Sequence, residues 1–142
     1  MGARWFEVEG ERFFARVWGA ADLPPLLLLH GFPEYSGAWE EVAERLSEQY
    51  YCIAPDQRGY GQSPAPDAVT DYAPARLVAD MAAIVTQLDA GPIAVVGHDW
   101  GSAVAYGLAI LRPELVEKLV VLNGVHPGPF QRALAAGGAQ SA

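Results

Sequence analysis

Four short apolar runs constrain the fold of this chain more than any other feature. They span residues 25–29, 51–54, 93–96 and 119–122, and none of them alternates with polar residues. Uninterrupted runs of this length are typical of strands that are covered on both faces, as in a parallel sheet. The sequence therefore predicts a mostly parallel sheet whose strands are spread along the chain.

Helical patterns separate these runs. Apolar residues recur at helical spacing in two sets: Trp39, Val42, Ala43 and Leu46, then Leu77, Met81, Ile84, Val85 and Leu88. We expect Pro74 in the first turn of the second helix, and a third helix over about 102–111, ended by Pro113. Upstream, two aromatic- and valine-rich runs at 4–8 and 12–17 predict an antiparallel hairpin. The alternation of strands and helices predicts an α/β fold with right-handed crossovers and flanking helices.

Composition narrows the partner classes. The 142 residues include nine basic and seventeen acidic side chains, for a net charge of −8. Such a charge repels nucleic acid and anionic membranes, so neither is expected as a partner. The single cysteine cannot form an internal disulfide, the first residues lack the apolar core of a signal peptide, and no apolar stretch approaches the length of a membrane span. A cytoplasmic protein is the expectation.

Each apolar run is followed by an unusual loop. The loops read His-Gly-Phe-Pro from His30, Asp-Gln-Arg-Gly-Tyr-Gly from Asp56, Gly-His-Asp-Trp-Gly from Gly97 and Asn-Gly-Val-His-Pro from Asn123. The carboxyl ends of parallel strands meet at one sheet edge, which is where open α/β sheets bind ligands. We therefore expect the loops to converge on one crevice.

The third loop carries the most specific chemistry. Gly97-x-Asp99-x-Gly101 between a strand and a helix has the form of a nucleophile elbow, with Asp99 where most elbows have serine. An aspartate is already ionised at neutral pH and needs no base to activate it. Carboxylate attack on a saturated carbon bearing a leaving group yields an alkyl ester, which predicts an epoxide or alkyl halide substrate. The alternative is that Asp99 merely caps its helix.

Hydrolysis of that ester requires a base and donors for the oxyanion. The backbone amides of Trp100 and Phe32 are the expected donors. Trp100 directly follows the nucleophile, and Phe32 lies in the loop after the earlier strand. His30 and His98 are expected to be structural rather than basic, and His126 is the remaining candidate base.

Together HGFPE, DQRGYGQS, GHDWG and NGVHP resemble the α/β-hydrolase superfamily, in particular its epoxide hydrolase branch. The resemblance implies that Asp99 is the alkylated nucleophile, that Phe32 and Trp100 supply the oxyanion hole, and that no metal or cofactor takes part. It also implies that 1–127 form the N-terminal portion of the core and 128–142 the start of a truncated helical cap. On this interpretation the acid and base would lie beyond the chain, which would be inactive alone and would expose residues 119–122 as an apolar sheet edge.

Two other functions stay open. Haloalkane dehalogenases share the HDWG element, and the Trp100 indole would then hold the halide; many of them, however, place an acid where this chain has Asn123. A non-catalytic ligand-binding module is the alternative from a different class. A small-molecule substrate is common to both enzymatic interpretations.

Overall fold

One mixed β-sheet organises the molecule. The computed structural model describes residues 1–124, 126, 128 and 132. Its sheet has six strands in the order β1-β2-β4-β3-β5-β6. Their bounds are β1 Gly2–Val8, β2 Glu11–Trp18, β3 Pro25–Leu29, β4 Tyr51–Pro55, β5 Ile93–His98 and β6 Val116–Leu122.

The strand directions confirm the predicted α/β class. β1 and β2 form the antiparallel hairpin, and β2 also pairs antiparallel with β4. The other neighbours, β3 with β4, β3 with β5 and β5 with β6, are parallel. The chain goes from β3 to β4 on one side and then returns to β5 on the other, so the strand order reverses between β3 and β5. A reversal of this kind opens a crevice at the carboxyl ends of the two strands.

Between residues 1 and 124, three α-helices cover the sheet. They are α1 Glu40–Leu46, preceded by a 3-10 turn at Ser36–Trp39, α2 Pro74–Leu88 and α3 Trp100–Leu111. Pro74 occupies the first turn of α2, as expected. The prediction for α3 was wrong at its start, because the helix begins at Trp100 rather than near 102. Asp99 turns the chain so sharply that no further loop residue is needed.

The core lies in two layers, one on each face of the sheet. α2 and α3 pack against one face through residues such as Met81, Ile84 and Leu108. α1 and the 3-10 turn cover the other face, where Trp39 and Ala43 pack with Leu28 and Cys52. Because the central strands β3 and β4 are buried on both faces, their sequences are apolar throughout. Burial also raises the pKa of the Cys52 thiol to about 11.

β6 forms the edge of the sheet in the described part of the chain. Val120 and Leu122 are exposed, so the edge is apolar over the predicted segment 119–122, whereas Glu117 and Lys118 are charged and exposed. Within the described residues, no helix is both long enough and apolar enough to span a bilayer. The predicted cap segment at 128–142 lies outside the described residues, apart from positions 128 and 132.

Candidate active site

Asp99 lies at the sharp turn between β5 and α3. Its backbone has φ 57° and ψ −121°, a conformation that side chains other than glycine rarely adopt. The side chain is exposed rather than folded into the core. Local strain of this kind persists only where the surrounding structure holds it, and it is common at functional sites.

Two glycines allow this turn because other backbone atoms pass where their side chains would be. A Cβ on Gly97 would lie 2.5 Å from the Gly101 carbonyl oxygen, and one on Gly101 would overlap the carbonyl oxygens of Leu29 and His30. The first turn of α3 therefore packs directly on the carboxyl end of β3. The spacing of Gly97 and Gly101 about Asp99 follows from this close packing.

We expect Gly101→Ala to damage both stability and activity. The added methyl group must displace backbone, which costs about 1–3 kcal/mol of unfolding free energy. It also shifts α3 relative to β3, and misplacement of reacting groups by about 1 Å costs on the order of 10²-fold in rate. Chemical denaturation and single-turnover alkylation check the two effects.

Ala103→Ser, at an exposed position two residues along the same helix, is the matched control and should change neither stability nor activity. A Gly101→Ala protein that matches this control would contradict the packing argument.

The Asp99 carboxylate faces the loop that follows β3. Its Oδ2 atom accepts a hydrogen bond from the Phe32 N–H at 3.1 Å. Hydrogen bonding by the Phe32 amide lowers the pKa of Asp99, and the Trp100 amide acts in the same direction. The carboxylate is therefore ionised at neutral pH. The structure thus brings together the three residues that the sequence predicted for the site.

Helix capping does not account for the Asp99 side chain. Asp99 occupies the N-cap position of α3, but within the described residues its side chain makes no capping hydrogen bond. Its oxygen instead bonds to a residue 67 positions away in sequence. The contact therefore joins the loops that follow β3 and β5.

The Phe32 amide is aimed by the peptide group that it shares with Gly31. The oxygen of that peptide accepts the Glu34 N–H at 3.0 Å and lies 3.0 Å from His30 Nδ1. In a planar trans peptide the N–H points away from the carbonyl oxygen. Holding the Gly31 oxygen on one side therefore directs the Phe32 N–H to the other, toward Asp99.

His30 serves this loop as a buried neutral imidazole. Its Nε2 accepts the Gln57 N–H at 3.1 Å, which assigns the proton to Nδ1 and makes Nδ1 the donor to Gly31. Burial lowers the pKa of His30. Both ring nitrogens are thus engaged, which leaves neither free to accept a proton from water.

The other two histidines also have partners away from Asp99. His98 Nδ1 lies 3.1 Å from Glu34 Oε1, and His126 Nδ1 accepts the Gly128 N–H. The His126 ring packs edge-on against Tyr106. Among the described residues, no histidine ring hydrogen-bonds to the Asp99 carboxylate.

The loop after β4 packs against the loop after β3, where Gln57 hydrogen-bonds to His30. Asp56 is buried and accepts the backbone N–H groups of Ser36 and Gln62, at 2.8 and 2.9 Å. It therefore fixes turns rather than facing substrate. Tyr60 packs edge-on against His30, and burial, with a smaller effect of the Asp99 charge, raises the pKa of its phenol.

Sequence analysis missed two carboxylates that hold these loops. Asp80, on α2, makes a two-point ion pair with Arg58 at 2.8 and 2.9 Å, with both side chains buried. Glu34 joins the loop after β3 to His98. The sequence does indicate a role for Asp80, since this acid lies among the apolar residues of α2 and must find a buried partner there.

Exposed aromatic side chains flank Asp99. Phe32 is 61% exposed and Trp100 68% exposed, and Tyr35 is also exposed on the same loop as Phe32. Large apolar groups left open beside a charged group are typical of ligand-binding sites.

Comparisons with known proteins agree with this arrangement. Residues 24–138 match the family described as alpha/beta hydrolase fold. The chain is 44% identical over 110 residues to the AB hydrolase superfamily protein YfhM of Bacillus subtilis. The aligned region covers 77% of this chain and 38% of that protein. It is 38% identical over 121 residues to Epoxide hydrolase 4 of Mus musculus, covering 85% of this chain and 34% of the relative.

A solved structure has the same fold. It belongs to the novel epoxide hydrolases found in metagenomes from hot environments, with a TM-score of 0.88 and 36% identity. The match covers 94% of this chain and 46% of the other. The chain thus spans a little over a third of these two curated relatives and just under half of the solved structure.

Proposed function

The chain belongs to the alpha/beta hydrolase fold family, and from that membership we propose that its site performs epoxide hydrolysis through a covalent ester on Asp99. The observation that carries the proposal is the Asp99 carboxylate, exposed at a strained turn with Oδ2 on the Phe32 amide. The similarity to proteins described as epoxide hydrolases supports the choice of substrate class.

The two carboxylate oxygens have different tasks. Because Oδ2 is held by the Phe32 amide, Oδ1 is the atom that attacks the epoxide carbon. A bond forms between Oδ1 and that carbon, the carbon–oxygen bond of the ring breaks, and the ring oxygen takes the electron pair and then a proton from water. The ester that results keeps Oδ2 as its carbonyl oxygen.

The same amides then suit the second step. Water attacks Cγ of the ester, and the negative charge develops on Oδ2 beside the Phe32 and Trp100 N–H groups. Collapse of this intermediate releases Oδ1 with the product diol and returns Asp99 with one oxygen from water. Activation of the water requires a general base. The described histidines are not placed for it, because both nitrogens of His30 are hydrogen-bonded and His98 contacts Glu34.

The rim of the site suits a neutral, apolar substrate. Phe32 and Trp100, whose backbone amides hydrogen-bond to the carboxylate, both have exposed rings, and these can pack on an aryl or alkyl group. The charge of Asp99 would repel a substrate carboxylate. We therefore propose that aryl or alkyl epoxides are the substrates.

Oxygen tracing tests the covalent route. In a single turnover in ¹⁸O-water, the first diol should contain unlabelled oxygen from Asp99, and the protein should gain one ¹⁸O atom. If the adduct forms but is not hydrolysed, the intact mass should increase by one substrate. Prompt appearance of ¹⁸O in the first diol would contradict the covalent ester. An alkyl chloride tested in parallel distinguishes dehalogenation, since halide release faster than epoxide opening would favour that alternative.

A further inference from the structure

A single side-chain oxygen connects the two loops of the proposed site. Glu34 Oε1 accepts the Gly31 N–H at 2.9 Å and lies 3.1 Å from His98 Nδ1. Gly31 directly precedes Phe32, and His98 directly precedes Asp99. The carboxylate thus contacts the residue immediately before each of the two groups that must meet.

The loops touch at this point without a side chain between them. A Cβ on Gly31 would lie 2.5 Å from Asp99 Cβ and 2.9 Å from the His98 carbonyl oxygen. Because the backbones are in direct contact, a small rotation of the loop at Gly31 changes the distance between the Phe32 N–H and Asp99 Oδ2. That hydrogen bond is 3.1 Å long, near the upper end of the usual range, so it is sensitive to such a change.

Glu34 holds both peptide groups of Gly31. Its carboxylate accepts the N–H on one side, and its backbone N–H donates to the Gly31 oxygen on the other. The second of these peptides carries the Phe32 N–H. Hydrogen bonds on both sides of Gly31 leave the loop little freedom to rotate, and the contact with His98 ties it to the end of β5.

From this geometry we propose that Glu34 is a positioning residue, which sets the Phe32 amide against the Asp99 carboxylate by linking the loop after β3 to the end of β5. The proposal rests on the proposed function of Asp99 and Phe32, and it concerns their alignment. Glu34 acts here through Gly31 and His98.

Partial exposure separates this role from a contribution to folding. The Glu34 and His98 side chains are 32% and 35% exposed, so solvent screens their attraction and the pair contributes little to stability. Loss of the carboxylate should therefore disturb alignment more than the fold.

Two substitutions at Glu34 test the proposal. Glu34→Ala removes the acceptor, whereas Glu34→Gln keeps an oxygen that can accept both N–H groups. With an aryl epoxide in excess, we expect Glu34→Ala to slow the alkylation of Asp99 by on the order of 10- to 100-fold. Glu34→Gln should restore most of the rate. Glu41→Ala, at an exposed pair on α1, is the control and should match the wild type.

A second readout does not depend on activity. The ¹H shift of the Phe32 amide reports its hydrogen bond to Asp99, and we expect it to move upfield in Glu34→Ala and to stay near the wild-type value in Glu34→Gln. His98→Ala, which keeps the Gly31 bond but removes the link to β5, should change both readouts in the same direction to a smaller degree. It also supplies the test if Glu34→Ala does not fold.

The outcomes distinguish the two proposals. Wild-type protein that is never alkylated, together with a moved Phe32 amide in Glu34→Ala, would overturn the epoxide function but not the positioning role. If the wild type is alkylated and Glu34→Ala shows the same rate and the same Phe32 amide shift, the positioning role alone is overturned. Where Glu34→Ala does not fold, the same result in His98→Ala overturns it. Glu34→Gln as slow as Glu34→Ala would also overturn it, because the hydrogen bonds would not then be the cause.

Discussion

Replacing Asp99 with asparagine should lower the rate of alkylation by an epoxide about 10⁴-fold or more, since removal of a nucleophile from a catalytic site has effects of this size. The amide nitrogen and oxygen of asparagine carry no charge and do not open an epoxide at neutral pH. Asparagine tolerates positive φ about as well as aspartate, so the strained turn is kept. Intact mass after exposure to an aryl epoxide measures the adduct, and the thermal transition checks the fold.

Asp89→Asn is the matched control for this substitution. Asp89 is also an exposed aspartate at positive φ, at the end of α2. Its replacement removes the same charge at another positive φ, although Asp89 has the ordinary left-handed conformation with ψ 44°. A general effect of charge would therefore appear in both variants. Adduct formation at the wild-type rate in Asp99→Asn would place the nucleophile elsewhere and remove the basis of the proposed mechanism.

The largest loss of stability is expected from Asp80→Ala. Arg58 and Asp80 are only 1% and 2% exposed, and they share two hydrogen bonds. Removal of one partner leaves the other charge buried without compensation, which costs about 3–5 kcal/mol. Glu11 contacts the same guanidinium at 3.3 Å and offsets part of this cost. Chemical denaturation gives the change in unfolding free energy.

Comparison with an exposed pair isolates burial as the cause. Arg45 and Glu41 form an ion pair on the surface of α1. Glu41→Ala should change the unfolding free energy by no more than about 0.5 kcal/mol. The double variant Arg58→Met, Asp80→Leu should recover much of the loss, because it leaves no buried charge. Equal effects of Asp80→Ala and Glu41→Ala would show that the buried pair is not structurally important.

Local patterns located the central strands β3, β4 and β5 because these strands are largely buried on both faces of the sheet. β3 was located at both ends, since Leu26 to Leu29 are bounded by Pro25 and His30. β5 and β6 are longer than their apolar runs, as backbone pairing continues to His98 and begins at Val116. Pairing depends on the neighbouring strand, which the residues of one strand alone do not reveal.

The candidate site was predictable where its residues lie close together in sequence. Gly97, Asp99 and Gly101 are within five positions, so the elbow and its charged side chain could be inferred directly. The bond from Phe32 to Asp99 joins residues 67 positions apart, and only the resemblance to a family had brought the two together. The contact of Glu34 with His98 spans 64 positions, and no local spacing indicates it. Contacts of this kind form only when the fold brings distant loops together.

Burial of Cys52 makes it easier to count reactive Asp99 carboxylates by labelling them with an epoxide. The chain has one thiol, and it lies inside the sheet with its pKa raised to about 11, so at neutral pH it reacts slowly with electrophiles. An epoxide reagent therefore meets no accessible thiol. The stoichiometry of labelling can then serve as an active-site titration, reporting what fraction of a preparation has a correctly formed elbow.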